Sequence, residues 1–177
     1  MKKFFPKLSV RDLCILGLLT SITIILAIYG TFRIGTAIKI PIKFISIFIS
    51  AVFYGPVWGG IVAALGDLFN CIFAPSGTIL PQITAIEFLN GFIFGIFFFR
   101  QKFSGKLFIC KTLLCTLILF GIDMILTSLA LVSAGFFPNF EVAFAARIWA
   151  GLIKAALHCA FIFISKSYIE KLRRLKK

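Results

Sequence analysis

The chain has 177 residues, 60% of them apolar and only 14% charged, with a formal net charge of +13. A soluble domain is about half apolar and a quarter charged, so this composition excludes one; charges bunched between long apolar stretches point to an integral membrane protein. The basic excess does not signal nucleic acid, since most of it sits at the two termini and in one loop rather than across a soluble face.

Lys2, Lys3 and Lys7 precede the first apolar run, but Arg11 and Asp12 interrupt the approach, and residues 13–29 are long enough to span a bilayer. This run therefore reads as the first helix of the mature protein, not a cleaved leader. Residues 30–43 form a connection carrying Arg33, Lys39, Pro41 and Lys43. A short second span covers 44–54 and ends at Gly55-Pro56. A third covers 57–73, followed by a turn-rich loop at 74–81. A fourth covers 82–99, a basic loop 100–106, and a fifth span 107–134. Gly135 and Pro138 mark a turn at 135–139, before a sixth span at 140–165 and a basic tail at 166–177. The expected fold is an all-α bundle of six transmembrane helices, one domain over residues 1–177, placed as a multi-pass protein in the cell membrane.

Six spans put both termini on one side. Fourteen of the nineteen Lys and Arg residues then lie on that side, which the positive-inside rule makes cytoplasmic. The five exceptions are Arg33, Lys39 and Lys43 in an outer connection, and Arg147 and Lys154 within the sixth span. A cation inside a span costs a few kcal/mol unless it is paired or hydrated. An outward-facing site for an anionic ligand accounts for all five; snorkelling or internal ion pairing is the alternative.

The acidic and amide residues cluster by depth. The third span runs outward and the fourth inward, so Asp67 and Glu87 both fall in the outer half, near Asn70, Gln82, Thr84 and Asn90. Arg147 lies at similar depth. Hydrocarbon offers these groups no partners, so they must meet one another or a ligand. Lys39, Lys43, Asp67, Asn70, Gln82, Glu87 and Arg147 are the candidate ligand-binding residues; a structural network stitching the bundle is the alternative. Asp123 and Lys154 sit near the middle of neighbouring antiparallel spans and are expected to pair as a structural element. Gly17 and Ser21, four apart on the first span, form a small-xxx-small step that lets another helix approach closely.

Chemistry-bearing motifs are missing. The sequence contains no Gly-x-x-x-x-Gly-Lys-Ser/Thr loop, no His-Glu-x-x-His and no Gly-x-Ser-x-Gly. No catalytic residue, metal site or cofactor is expected. The lone histidine, His158, reads as a packed residue. The five cysteines fall in apolar stretches without paired spacing and read as small buried hydrophobes.

Three stretches carry a resemblance: Ile-Lys-Ile-Pro-Ile at 38–42 leading into Ala-Val-Phe-Tyr-Gly-Pro-Val-Trp-Gly-Gly-Ile-Val-Ala-Ala-Leu-Gly-Asp-Leu at 51–68; Ala-Pro-Ser-Gly-Thr at 74–78 with Gly-Phe-Ile-Phe-Gly at 91–95; and Leu-Thr-Ser-Leu-Ala-Leu at 126–131 with Ala-Arg-Ile-Trp-Ala-Gly-Leu-Ile-Lys at 146–154. In these the chain resembles the substrate-binding (S) components of the energy-coupling factor vitamin transporters, and within them the folate-specific group. The resemblance implies six helices, an outward-facing pocket covered by the 30–43 connection, and no enzymatic activity. It also implies a first-helix contact with a transmembrane coupling subunit, where Gly17 and Ser21 replace the usual Ala-xxx-Ala, and energy from two partner ATPases. Folate fits the charge pattern: Arg147, Lys39 or Lys43 would take its glutamate carboxylates, and Asp67 or Glu87 the N–H edge of its pterin. The departures are Gln82, Ile83 and Glu87, where the folate group tends to carry Gly, Phe and Thr. Other vitamins, a queuosine precursor, a small lipid-headgroup enzyme and an assembly protein remain as alternatives.

Overall fold

The computed structural model describes residues 8–34, 38–73, 80–101 and 106–175, with the side chains of 31–41, 106, 170 and 172–175 outside that description. Among these residues the order is α1 (Val10–Ile28), β1 (Thr31–Ile34), β2 (Ile38–Pro41), α2 (Phe44–Tyr54), α3 (Pro56–Phe73), α4 (Pro81–Phe98), α5 (Lys106–Ser133) and α6 (Phe140–Leu175). The all-helical bundle is as expected from composition. Much of the expected loops at 74–81 and 100–106 lies outside the described residues.

Three details differ from the sequence reading, each for a physical reason. First, α1 begins at Val10, because Asp12 does not interrupt the helix but starts it: the Ser9 backbone N–H donates to the Asp12 carboxylate at 3.1 Å. Second, the connection after α1 folds as an antiparallel hairpin, pairing Thr31 with Pro41 and Arg33 with Lys39. Extended backbone suits its β-branched Thr31, Ile34, Ile38 and Ile40. Third, α6 continues through the basic tail to Leu175, since no Gly or Pro follows Phe140 except Gly151, which the helix absorbs.

Among the described residues, five helices are long and apolar enough to cross a membrane, and α2 is the exception at 11 residues. At 1.5 Å per residue it spans about 17 Å, short of the roughly 30 Å hydrocarbon core. Burial resolves this: eight of its residues are buried, so α2 packs inside the bundle rather than against lipid. It passes into α3 through Gly55 alone, whose φ of +98° is a conformation that disfavours a side chain.

Phe48 of α2 is fully buried and makes edge contacts with Phe94 and Phe98 of α4 and Phe161 of α6, at centroid distances of 5.5, 5.3 and 5.9 Å. Edge-to-face packing of this kind adds about 0.5–1.5 kcal/mol per pair beyond burial in water-soluble proteins. The closest helix pair is α3–α4. A Cβ on Gly91 would run into the Gly59 carbonyl, and one on Gly95 into Pro56, so only glycines allow this approach. The cysteines are all free, but the expectation of burial fails for two: Cys14 and Cys110 lie exposed on the outer surface of the helices, where an apolar thiol is at home in lipid, while Cys115 is buried.

Candidate functional site

Two polar clusters lie inside the bundle. The first is built at the foot of the hairpin. Lys43 immediately precedes α2, and its Nζ lies 3.1 Å from Asp67 Oδ1 on α3 and 3.1 Å from Glu87 Oε1 on α4. Thr84 Oγ1, one turn before Glu87, donates to Asp67 Oδ2 at 3.0 Å. Both Asp67 oxygens and the lysine are thus engaged, and the lysine and aspartate side chains are 7% exposed. Three of the expected ligand-binding residues therefore come together, but on one another.

The second cluster lies between α4, α5 and α6. Lys154 Nζ donates to Asp123 Oδ2 at 3.0 Å, the pairing expected from span depth, and Thr127 Oγ1 donates to Asp123 Oδ1 at 3.3 Å. On α6, Arg147, Gly151, Lys154 and His158 follow the i, i+4, i+7, i+11 spacing of a single stripe. Asp123 lies within electrostatic range of Arg147, Lys154 and His158 alike. A cleft opens here, lined by Asn90, Thr116, Asp123, Gly151, Lys154 and His158 with apolar neighbours. Arg147 is half-buried and, among the described residues, makes no ion pair.

The other expected residues are dispersed. Gln82 Oε1 accepts a hydrogen bond from Ser133 Oγ at 3.0 Å and so ties the start of α4 to the end of α5. Asn70 is partly buried one turn beyond Asp67. Lys39 lies on β2 opposite Arg33, with its side chain outside the described residues; β2 itself packs on α6. Gly17 and Ser21 face outward from α1, where a Cβ on Gly17 would meet nothing within 4 Å. Sequence reasoning missed the α4–α6 cleft. Its signal was the stripe of three polar residues and Gly151 on the sixth span, visible as spacing but read residue by residue. Among the described residues, no group of three His, Cys, Asp or Glu could hold a metal ion.

Residues 11–167 match the family described as ECF transporter, substrate-specific component. The chain belongs to this family. This S component is 26% identical over 140 residues to the folate transporter FolT of Clostridium novyi (strain NT), covering 79% of each chain. It is 24% identical over 98 residues to the folate transporter FolT of Leuconostoc mesenteroides, covering 55% of this chain and 51% of that protein. Its fold matches the crystal structure of FolT bound with folic acid at a TM-score of 0.73 and 25% identity, over 91% of this chain and 93% of that one. It is a multi-pass membrane protein of a transport system.

Proposed function

We propose that this S component captures folate at the outer membrane face and hands it on unchanged, with transport driven by a coupling subunit and two ATPases. The observation that carries the reading is the likeness, over nine-tenths of the chain, to a relative with folic acid bound. The charge arrangement supports it. Folate ends in glutamate carboxylates, and Arg147 is a half-buried cation without an ion pair among the described residues, on the α6 stripe that runs into the cleft. The hairpin register sets Arg33 opposite Lys39; like charges directly opposite are unfavourable, and a shared anion removes that penalty. Lys43, Asp67 and Glu87, satisfied by one another, serve in this reading as the frame that holds the hairpin. Gly17 and Ser21 offer the coupling subunit a flat face.

Calorimetric titration of the purified protein with folate and with a panel of other vitamins is the direct test. Saturable folate binding at one site is expected; binding of another vitamin with no response to folate would reject folate as the cargo. The same reading places both termini in the cytoplasm. A reporter fused after Lys177 is expected to be active only inside the cell, and activity only outside would overturn that orientation.

A further inference from the structure

The last helix is longer than its membrane crossing requires. It runs for 36 residues, from Phe140 to Leu175. At 1.5 Å per residue, the stretch from Phe140 to Lys171 measures about 46 Å, close to the roughly 40–45 Å of a bilayer with its headgroups. Lys171 therefore reaches the headgroup layer at the end of the bundle where α5 begins, and the final turn of α6 projects beyond it. Charge at this end is one-sided: residues 166–177 hold six Lys and Arg against Glu170 alone.

The outward face of α6 changes character with depth. Leu157, Ile164, Tyr168 and Lys171 follow one another by seven, four and three residues, which puts them on one side of the helix. All four are exposed, Ile164 at 69% and Tyr168 at 70%. From Leu157 to Lys171 the helix rises about 21 Å, the thickness of one leaflet with its headgroups. The stripe thus presents two aliphatic side chains at acyl-chain depth, a tyrosine at the boundary where such rings prefer to sit, and a cation at headgroup depth. Ser167, also exposed, stands one turn before Lys171, and Arg174 follows it by three residues. Other cations at this end are turned to the protein instead. Lys166 Nζ lies 5.4 Å from the centroid of the Phe108 ring, and Lys111 Nζ donates to Gln101 Oε1 at 2.7 Å. An acidic protein surface would match the cations but not the exposed apolar residues that lead into them. An amphiphile with a negative headgroup matches both.

We propose that this face of α6 binds an anionic phospholipid. The acyl chain lies along Leu157 and Ile164, and the phosphate is held at Lys171 with Ser167 and Arg174 beside it. The lipid offsets the one-sided charge of the tail and fixes the depth of α6 in the bilayer. Because it binds the folded chain, it raises stability in step with its affinity. The site is independent of the cargo, since it lies on the lipid side of the bundle.

The test titrates the full chain in detergent with dioctanoyl-phosphatidylglycerol, with dioctanoyl-phosphatidylcholine, and with glycerol phosphate, which carries the phosphate without acyl chains. Thermal midpoint and native mass spectrometry of bound lipid are the readouts. Phosphatidylglycerol is expected to bind saturably and raise the midpoint, and the other two probes to do neither. Lys171→Gln with Arg174→Gln should weaken phosphatidylglycerol binding about tenfold or more, since each surface cation contributes about fivefold toward an anionic headgroup. Its midpoint in phosphatidylcholine checks that it is folded, and the charge-keeping pair Lys171→Arg with Arg174→Lys should restore binding. Lys111→Gln with Lys166→Gln removes the same charge from the same end and should leave phosphatidylglycerol binding unchanged. Four outcomes would overturn the assignment. Equal effects of the two lipids would mean that charge is not read, and equal binding of glycerol phosphate would make this a simple anion site. Equal losses in the two glutamine pairs would reduce it to bulk charge. A Lys171 and Arg174 glutamine pair that keeps phosphatidylglycerol but no longer co-purifies with the ATPase subunits would give the face to a protein partner.

Discussion

The two polar clusters are built from the same kinds of residue and are put together in opposite ways. In the Lys43 cluster, one lysine is shared between two carboxylates, and a threonine occupies the remaining aspartate oxygen. In the α4–α6 cleft, one lysine and one aspartate pair off, and among the described residues Asn90 Oδ1 and His158 Nε2 have no hydrogen-bond partner and Arg147, further along α6, makes no ion pair. The first cluster is closed and joins the hairpin, α2, α3 and α4. The second is open, with unused hydrogen-bonding capacity beside a cleft. A membrane interior makes this difference meaningful, because no solvent is present to satisfy what the protein leaves over. Polar groups that use one another up hold the architecture, and in the folate reading the open cluster is the one that faces the ligand.

The sharpest way to break this comparison is Lys43→Met. Removing the cation leaves Asp67 and Glu87 buried together without their shared counter-charge, and breaking a buried pair in this way costs about 3–5 kcal/mol. The ligand-free thermal midpoint is expected to fall steeply, and adding Asp67→Asn and Glu87→Gln to the same chain should recover most of it. A midpoint unchanged in Lys43→Met would mean that the cluster is not the frame, and would return Lys43 to the ligand.

Much of this was legible in the sequence. The spans of α2 to α5 fall within a residue of their expected limits, because Gly55-Pro56 and the abrupt changes from apolar to charged residues mark them. The Asp123–Lys154 pair followed from depth alone. The hairpin was not legible, since residues 30–43 mix Gly, Pro and cations with short β-branched runs that a loop also tolerates. Nor was the division of labour among the polar residues. Depth placed Asp67 and Glu87 in the same layer as Arg147, with Lys43 in the outer connection, but whether a lysine meets two carboxylates or a ligand depends on helix rotation. Rotation is fixed by the Gly91–Gly59 contact and by the packing around Phe48, which no local pattern reports.

A smaller effect is expected on the open side. Arg147→Ala removes a cation that makes no ion pair among the described residues, so the ligand-free midpoint should hold. Folate affinity should fall about tenfold or more, the loss of one charge-assisted hydrogen bond of about 1.5–3 kcal/mol. A pterin lacking the glutamate tail should be affected much less. Lys39→Ala should show the same preference with a weaker loss, because a hairpin residue nearer water is better screened. Equal losses for folate and the tail-less pterin in Arg147→Ala would make the arginine architectural and erase the contrast between the two clusters.

The smallest effect on the isolated protein belongs to a third region, outside both clusters. Gly17→Leu with Ser21→Leu adds bulk to an outward face of α1 where a Cβ on Gly17 meets nothing within 4 Å. Among the described residues, Ser21 Oγ donates to the Gly17 carbonyl of its own helix, at 3.1 Å, and to no other helix. Leucine is also a better helix former than glycine by several tenths of a kcal/mol. Thermal midpoint and folate affinity are therefore expected to match wild type within error. Cellular uptake should nevertheless be lost, since a bulky pair prevents the close helix approach that small residues permit. Co-purification with the coupling subunit separates the causes: a variant that binds folate, fails to transport and no longer co-purifies has lost its docking face. A double variant that transports normally would place that face elsewhere on the bundle.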